Sequence, residues 1–233
     1  TCACRRSSCG EIVSLGAAGF IMSFTTSAVQ IVCNAMLAQF GGDLFVGVMT
    51  VINSIREVTY APVSGITNAA NPVMGFNYGA HLFERVKKTL WYGIFGATGI
   101  GLALWALVHL FPEQIVGFFG ITNESLRDFT VFALKVQLLM LPFVGFQIVS
   151  SNYFQATGQP AKSVFLTLTR QILFLVPLLY LMPVVLPQLF PQFTGLDALY
   201  FAAPVADFLS IFTTAVFVAW EMARLRRLSA MYA

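Results

Sequence analysis

Long apolar runs, interrupted at intervals by small groups of Gly, Pro and charged residues, form the dominant pattern along this chain. Such punctuation marks turns and helix ends, and it divides the chain into six apolar segments: residues 11–39, 44–71, 86–111, 125–154, 162–186 and 196–225. The breaks fall at Gly41-Gly42-Asp43, at Pro72 with the turn-rich Gly75 to Gly79, at Pro112, at Gly158-Gln159-Pro160, and at Pro183, Pro187 and Pro191. A short amphipathic stretch from Ile115 to Phe119 follows the third segment. Each segment exceeds the roughly 20 residues that a helix needs to cross about 30 Å of hydrocarbon. Barrel strands would alternate apolar and polar at every second residue, whereas Leu102 to Leu107 and Ile172 to Leu181 are apolar on both parities. The pattern predicts an all-α, polytopic membrane protein: six transmembrane helices in one body over residues 11–228, with residues 1–10 as a cytoplasmic leader or the end of a linker.

The polar residues inside these segments fall into stripes. In the first segment Ser23, Thr26, Gln30 and Asn34 recur every three or four residues, which is one face of an α-helix. In the second, Asn53, Glu57, Tyr60, Ser64 and Asn68 do the same, with Arg56 beside them. In the fourth, Gln137, Gln147 and Ser151 share a face bent at Pro142. Three stripes in a six-helix bundle predict a hydrated, mostly uncharged cavity. Ser and Thr also serve to join membrane helices, so the long amides Gln30, Asn34 and Gln147 are the better candidates for lining it. Gly93, Gly96, Gly99 and Gly101 give the third segment a nearly side-chain-free strip suited to close packing. Pro62, Pro142 and Pro177 each delete one backbone hydrogen bond within a span and can kink it.

A charge at mid-membrane costs about 2.5–3.5 kcal/mol on the insertion scale, so each one needs a partner, a watery cavity or a route to the surface. Glu57 lies midway along the second segment and Asp207 near the middle of the sixth. These two are the candidates for ion or proton coupling, because burial favours the protonated form of a carboxyl. Arg56 adjoins Glu57 in sequence, and neighbours on a helix do not face each other, so no simple pair is expected between them. Arg170, eight residues past Lys162, and Lys135 are expected to snorkel to the surface.

Composition fits the pattern. Of 233 residues, 58% are hydrophobic and 10% charged, where a soluble domain carries about 25% charged residues. The net charge of +3 says nothing of nucleic acid, and no such partner is expected; what matters is which side of the spans holds the bases. With the N-terminus inside, the inner loops hold Arg5, Arg6, Arg85, Lys87, Lys88, Lys162, Arg224, Arg226 and Arg227. The outer loops hold Asp43, Glu113, Glu124, Asp128 and Asp197, with Arg127 as their clear base. Both termini of the segment are therefore expected in the cytoplasm. Cys2, Cys4 and Cys9 crowd the start while Cys33 lies alone in an apolar run, which makes no disulfide framework and no convincing metal site. There is no His-Glu-x-x-His, no Gly-x-Ser-x-Gly and no phosphate loop. No enzyme and no cofactor are indicated.

Several motifs resemble one family. Asn71-Pro-Val-Met-Gly-Phe-Asn-Tyr-Gly-Ala80, followed by Glu84-Arg-Val86, resembles the end of the eighth helix of MATE (multidrug and toxic compound extrusion) transporters. Phe154-Gln-Ala-Thr-Gly-Gln-Pro-Ala-Lys162 and Arg170-Gln-Ile-Leu-Phe-Leu-Val-Pro177 resemble that family's turn from the tenth to the eleventh helix and the eleventh helix itself. Gln39-Phe-Gly-Gly-Asp43 resembles the outer turn after the seventh. The resemblance implies one lobe, helices seven to twelve, of a twelve-helix antiporter that expels organic cations and drugs in exchange for protons or sodium ions. Its partners would be the other six-helix lobe, the lipid bilayer of a bacterial cytoplasmic membrane, and the exported compound. The sodium-coupled branch of the family places Glu in helix seven and Asp in helix ten. Here the corresponding stretches offer Gln30 or Asn34, and Gln137 or Gln147, and an amide cannot bind and release a proton. Gln30, Asn34, Asn53, Arg56, Glu57, Tyr60, Asn68 and Gln147 are thus expected to line the substrate pathway. Two rivals stand beside this reading: a flippase of the same superfamily for lipid-linked oligosaccharides, towards which Arg56 leans, and a membrane scaffold with no hydrated stripe.

Overall fold

The computed structural model describes residues 6–121, 123–192 and 194–232. The expectations for Cys2, Cys4 and Arg5, and for the side chains of Arg6, Cys9 and Asp43, lie outside what is described. The described residues form helices joined by short turns, with no strand among them. In chain order these are α1 (Arg6–Gly41), α2 (Asp43–Gly79), α3 (Phe83–Leu110), the short α4 (Pro112–Gly117), α5 (Glu124–Gln137), α6 (Leu141–Ala156), α7 (Pro160–Leu168), a π-helical turn (Thr169–Leu175), α8 (Val176–Leu189) and α9 (Gly195–Tyr232).

By length and hydropathy, Gly19–Gly41, Phe83–Leu110, Pro160–Leu189 and Gly195–Met231 can each cross a membrane, and α5 with α6 makes a fifth span bent by 46°. Helix α2 has 37 residues, enough for a sixth. It is less apolar than the others because it carries Asn53, Arg56 and Glu57. Large apolar side chains such as Phe20, Phe24, Ile31, Phe95, Leu102, Phe212 and Val216 are exposed on the outer faces, as a lipid-facing surface requires.

Two boundaries differ from the sequence reading. Pro72 does not stop α2, which runs through it to Gly79. The stop is a Schellman motif set by His81, whose φ of 57° is left-handed: His81 N–H donates to the Tyr78 carbonyl at 3.1 Å and Leu82 N–H to that of Asn77 at 2.9 Å. The same device ends α6, with Gly158 (φ 73°) in the left-handed position, its N–H on the Gln155 carbonyl at 3.2 Å and Gln159 N–H on that of Phe154 at 2.8 Å. The fourth segment is two helices rather than one kinked helix. It breaks at residues 138–140, and Pro142 sits in the first turn of α6, where its missing N–H costs nothing.

Helix α9 starts on a capping box: Thr194 Oγ1 accepts from Asp197 N–H at 3.3 Å while Asp197 Oδ2 accepts from Thr194 N–H at 2.9 Å. The π turn has an equally local cause. Pro177 supplies no N–H and its ring would crowd the carbonyl four residues back, so the preceding turn widens and Val176 N–H reaches the Gln171 carbonyl.

Lipid tails are as apolar as leucine, so membrane helices associate through close packing more than through hydrophobic drive. The close packing lies between α3 and α6. A Cβ on Gly145 would stand 2.9 Å from the Ala97 carbonyl carbon, one on Gly101 3.2 Å from the Leu141 oxygen, and one on Gly93 3.2 Å from Val149. The working strip is thus Gly93, Ala97 and Gly101, four residues apart, while Gly96 faces Ile66 of α2 and Gly99 meets nothing within 4 Å. Two apolar clusters hold the rest. One, around Leu37, Ile52, Leu134, Leu138 and Tyr200, joins α1, α2, α5 and α9; the other, around Met74, Val86, Tyr153, Phe154 and Leu225, joins α2, α3, α6 and α9.

Candidate functional site

A cavity of about 210 Å³ opens between α1, α2, the end of α5, the π turn, α8 and the first part of α9. Its polar lining comes from Thr26, Gln30 and Cys33 of α1, Arg56, Glu57 and Tyr60 of α2, Gln137 of α5, Arg170 and Gln171 of the π turn, and Tyr200 of α9. Its apolar lining includes Val29, Leu37, Met49, Leu175, Leu179 and Leu199.

Of the α1 stripe, Thr26 and Gln30 line this space, while Ser23 and Asn34 do not. Gln30 lines it and donates through Nε2 to Asn34 Oδ1 at 3.3 Å, so Asn34 stands one hydrogen bond behind the wall. Thr26 satisfies its own helix by donating to the Met22 carbonyl at 2.9 Å and also accepts from Gln171 Nε2 at 2.9 Å, which ties α1 to the π turn across the cavity. On α2, Arg56, Glu57 and Tyr60 line the cavity, while Asn53 and Asn68 do not. The Asn53 Oδ1 atom is buried without a hydrogen-bond partner, and Asn68 is exposed. Among the described residues neither Arg56 nor Glu57 has an ion pair, as expected for helix neighbours that point apart.

Two expectations change. Arg170 does not snorkel: its Nε donates to Asp207 Oδ1 at 2.6 Å, and the Tyr60 hydroxyl stands beside the same guanidinium. Pro177 provides the reason, since the widened π turn displaces Arg170 and Gln171 from regular helical positions into the cavity. Asp207, a candidate for coupling, is buried as the counter-ion of that arginine. Gln147 lies in packed protein, where its Nε2 donates to Ser210 Oγ and joins α6 to α9. The break between α5 and α6 explains why Gln137 reaches the cavity and Gln147 does not, since a stripe cannot continue in register across it.

The sequence reading passed over Glu221. This fully buried residue of α9 accepts from Lys162 Nζ at 2.9 Å, Arg224 Nη1 at 3.1 Å and Gln159 Nε2 at 3.1 Å, and the Lys162 ammonium lies 4.3 Å over the Trp220 ring. A carboxyl in the run Trp220-Glu221-Met222, three residues before Arg224 in an otherwise apolar helix, was the available signal.

Helices long enough to span, a lipid-facing apolar surface and an open cavity of mixed polar and apolar lining define a polytopic membrane protein. The MatE family model matches residues 19–181 of the 233. The chain belongs to the MatE family. Among solved structures, it resembles the outward-facing conformation of a multidrug resistance MATE family transporter of the MOP superfamily (TM-score 0.85, 22% identity, 96% of this chain and 48% of that one). It also resembles the inward-facing conformation of such a transporter (TM-score 0.80, 22% identity, 98% and 50%). A third likeness is to a MOP superfamily transporter from Pyrococcus furiosus described for the reverse polarity of its binding pocket (TM-score 0.84, 22% identity, 96% and 48%). The chain spans about half the length of these structures, and at this identity they show the fold. No curated protein sequence matches it.

Proposed function

We propose that this chain forms one lobe of a secondary multidrug antiporter that exports lipophilic or cationic compounds in exchange for protons or sodium ions. The observation that carries this reading is the pair Arg56 and Glu57, which line a mixed aromatic and amide cavity with no ion partner among the described residues. Charges in a membrane segment without partners serve a ligand, an ion or a facing protein surface. Tyr60, Tyr200 and the amides Gln30, Gln137 and Gln171 would hold a cation by ring faces and carbonyl oxygens, with Glu57 adding charge. Drug-sized ligands occupy pockets of about 300–1,000 Å³. A cavity of about 210 Å³ then supplies one wall, and the missing lobe the other.

Alternating access would follow by rocking the two lobes around this site. The likeness of one chain to both outward-facing and inward-facing relatives, at TM-scores of 0.85 and 0.80, supports a lobe that keeps its internal shape as it rocks. The membrane would be the bacterial cytoplasmic membrane, with Lys87, Lys88, Arg226 and Arg227 on the cytoplasmic side. A coupling ion drives the cycle only if it binds one state better than the other; Glu57 is the carboxylate in position to do so, and Asp207 the other candidate.

The test is export of a fluorescent lipophilic cation by the whole protein in proteoliposomes under an imposed proton or sodium gradient. Glu57→Gln is expected to lower gradient-driven export several-fold. Unchanged export across pH removes Glu57 from the mechanism. A flippase for pyrophosphate-linked lipids remains the second reading because Arg56 and Arg170 both line the cavity. It requires Arg56→Gln to abolish flipping of such a lipid, and wild-type protein that does not move the organic cation.

A further inference from the structure

A second concavity, of about 720 Å³, lies between α3 and the last third of α9, walled in part by Phe146 of α6. Its composition is ordered along the helix axes. Lys87 and Lys88 on α3 and Arg226 on α9 stand at one end; Trp91 and Tyr92 follow one turn deeper; Val218, Ala219 and Ala215 line the deep end. Helices α3 and α9 run in opposite directions, so each contributes its cations at the same mouth and its apolar residues inward. Ala215, Ala219 and Ala223 recur every fourth residue of α9 and form one small-residue face. That face leaves the space open below the exposed rings of Trp91 and Tyr92.

The charges at the mouth are not balanced by the protein. Glu84 is satisfied by Lys87 at 2.5 Å and by the Ser229 hydroxyl at 2.9 Å. Lys88 and Arg226 are exposed and make no side-chain hydrogen bond or ion pair among the described residues, although Lys88 also feels the charge of Glu84. Two free cations above an aromatic collar and a narrow apolar cleft in a membrane-spanning body match a phosphate headgroup with its acyl chain. Trp and Tyr favour that same depth, where one end of the ring is wet and the other apolar.

We propose that this groove is a site for an anionic phospholipid, its phosphate held by Lys88 and Arg226 and one acyl chain laid along Ala215, Ala219 and Ala223. The site is separate from the cavity between α1 and α2, and it does not depend on what that cavity transports. Basic recesses between membrane helices on the cytoplasmic side are a recurrent form of acidic lipid recognition. Here the alanine face adds a place for the chain as well as the headgroup.

The test is native mass spectrometry of the whole detergent-solubilised protein titrated with phosphatidylglycerol or phosphatidylcholine. Wild-type protein is expected to retain phosphatidylglycerol in preference. Each cation removed should cost about fivefold in apparent affinity, and Lys88→Gln with Arg226→Gln roughly thirtyfold. Ala219→Trp, which fills the groove and leaves the charges in place, should lose the retained lipid as well; if it fails to fold, Ala219→Leu replaces it. A double charge variant that retains phosphatidylglycerol like wild type overturns the proposal. So does full retention by a folded groove-filling variant, because binding would then be diffuse surface attraction. Glycerol 3-phosphate, which lacks chains, should compete weakly; competition equal to the lipid's refutes an acyl site.

Discussion

Removing the charge of Glu221 while keeping its shape separates an electrostatic clamp from mere packing. In Glu221→Gln the side chain still fills its fully buried site, but it now faces three donors with one acceptor oxygen and one NH2 group. Lys162 Nζ at 2.9 Å, Arg224 Nη1 at 3.1 Å and Gln159 Nε2 at 3.1 Å all donate to the wild-type carboxylate. At least one of them must therefore meet an amide N–H. Breaking a buried ion pair by removing one partner costs about 3–5 kcal/mol. Here the cost is lower, because the Lys162 and Arg224 side chains are 22% and 42% exposed and can turn to water. About 2 kcal/mol is the expected loss, which lowers the melting temperature by roughly 4–8 °C for a body of this size. The assay is thermal unfolding of the purified protein in detergent, followed by tryptophan fluorescence. Trp220 gives a local report, since the Lys162 ammonium lies 4.3 Å from its ring centre and should leave when its counter-ion is gone. Lys162→Gln on the Glu221→Gln background should then cost less than it does alone, the sign of a shared interaction. A melting temperature within about 1 °C of wild type, with unchanged Trp220 emission, would falsify the clamp.

Three further sets of substitutions address the packing and the cavity. Gly145→Val places branched carbon against the Ala97 backbone, where a Cβ already stands at 2.9 Å, and should destabilise by about 1–3 kcal/mol; Gly99→Ala, with nothing within 4 Å, should be neutral or stabilising by up to about 1 kcal/mol in the same melting assay. Asp207→Asn leaves the Arg170 guanidinium without its carboxylate and should lower the melting temperature, whereas Asp207→Glu should restore most of it; equal stability of all three forms would show that the pair contributes nothing. Thr26→Val and Gln171→Ala each remove one end of the same hydrogen bond, so each should cost about 0.5–1.5 kcal/mol and the double variant about as much as one; additive losses would mean that the two residues act apart.

The legible part of the fold was whatever repeats on a fixed period. Thr26 and Gln30 of α1 and Glu57 and Tyr60 of α2 recur at helical spacing, and the cavity gathers them together with the adjacent Arg56. What misled was extending a period across a break. Gln137 and Gln147 fall on one face only if the helix between them is continuous, and at residues 138–140 it is not. Arg170 was misread for a related reason: snorkelling assumes a regular helix near the surface, but the π turn before Pro177 re-aims it toward Asp207. Glu221 escaped because nothing in α9 alone shows that Gln159, from the turn between α6 and α7, and Lys162, in the first turn of α7, close over it.

The two ion pairs on α9 together constrain how the cavity can change. Lys162 precedes Arg170 on the α7 side, and their partners occur in reverse order, Arg170 with Asp207 and Lys162 with Glu221. Nested pairs of this kind require antiparallel helices. Because each carboxylate is buried, sliding either helix by one turn, about 5.4 Å, would strand both carboxylates from their bases. Helices α7 and α9 with the π turn therefore form one unit, which carries Arg170, Gln171 and Tyr200 on its cavity face. The opposite wall, α1 and α2, meets it through the exposed hydrogen bond between Thr26 and Gln171, through Tyr60 beside the Arg170 guanidinium, through the Tyr200 hydroxyl donating to the Phe45 carbonyl at 3.3 Å, and through the apolar cluster around Leu37, Ile52 and Tyr200. Removing the Thr26–Gln171 bond alone should therefore leave the two walls of the cavity together.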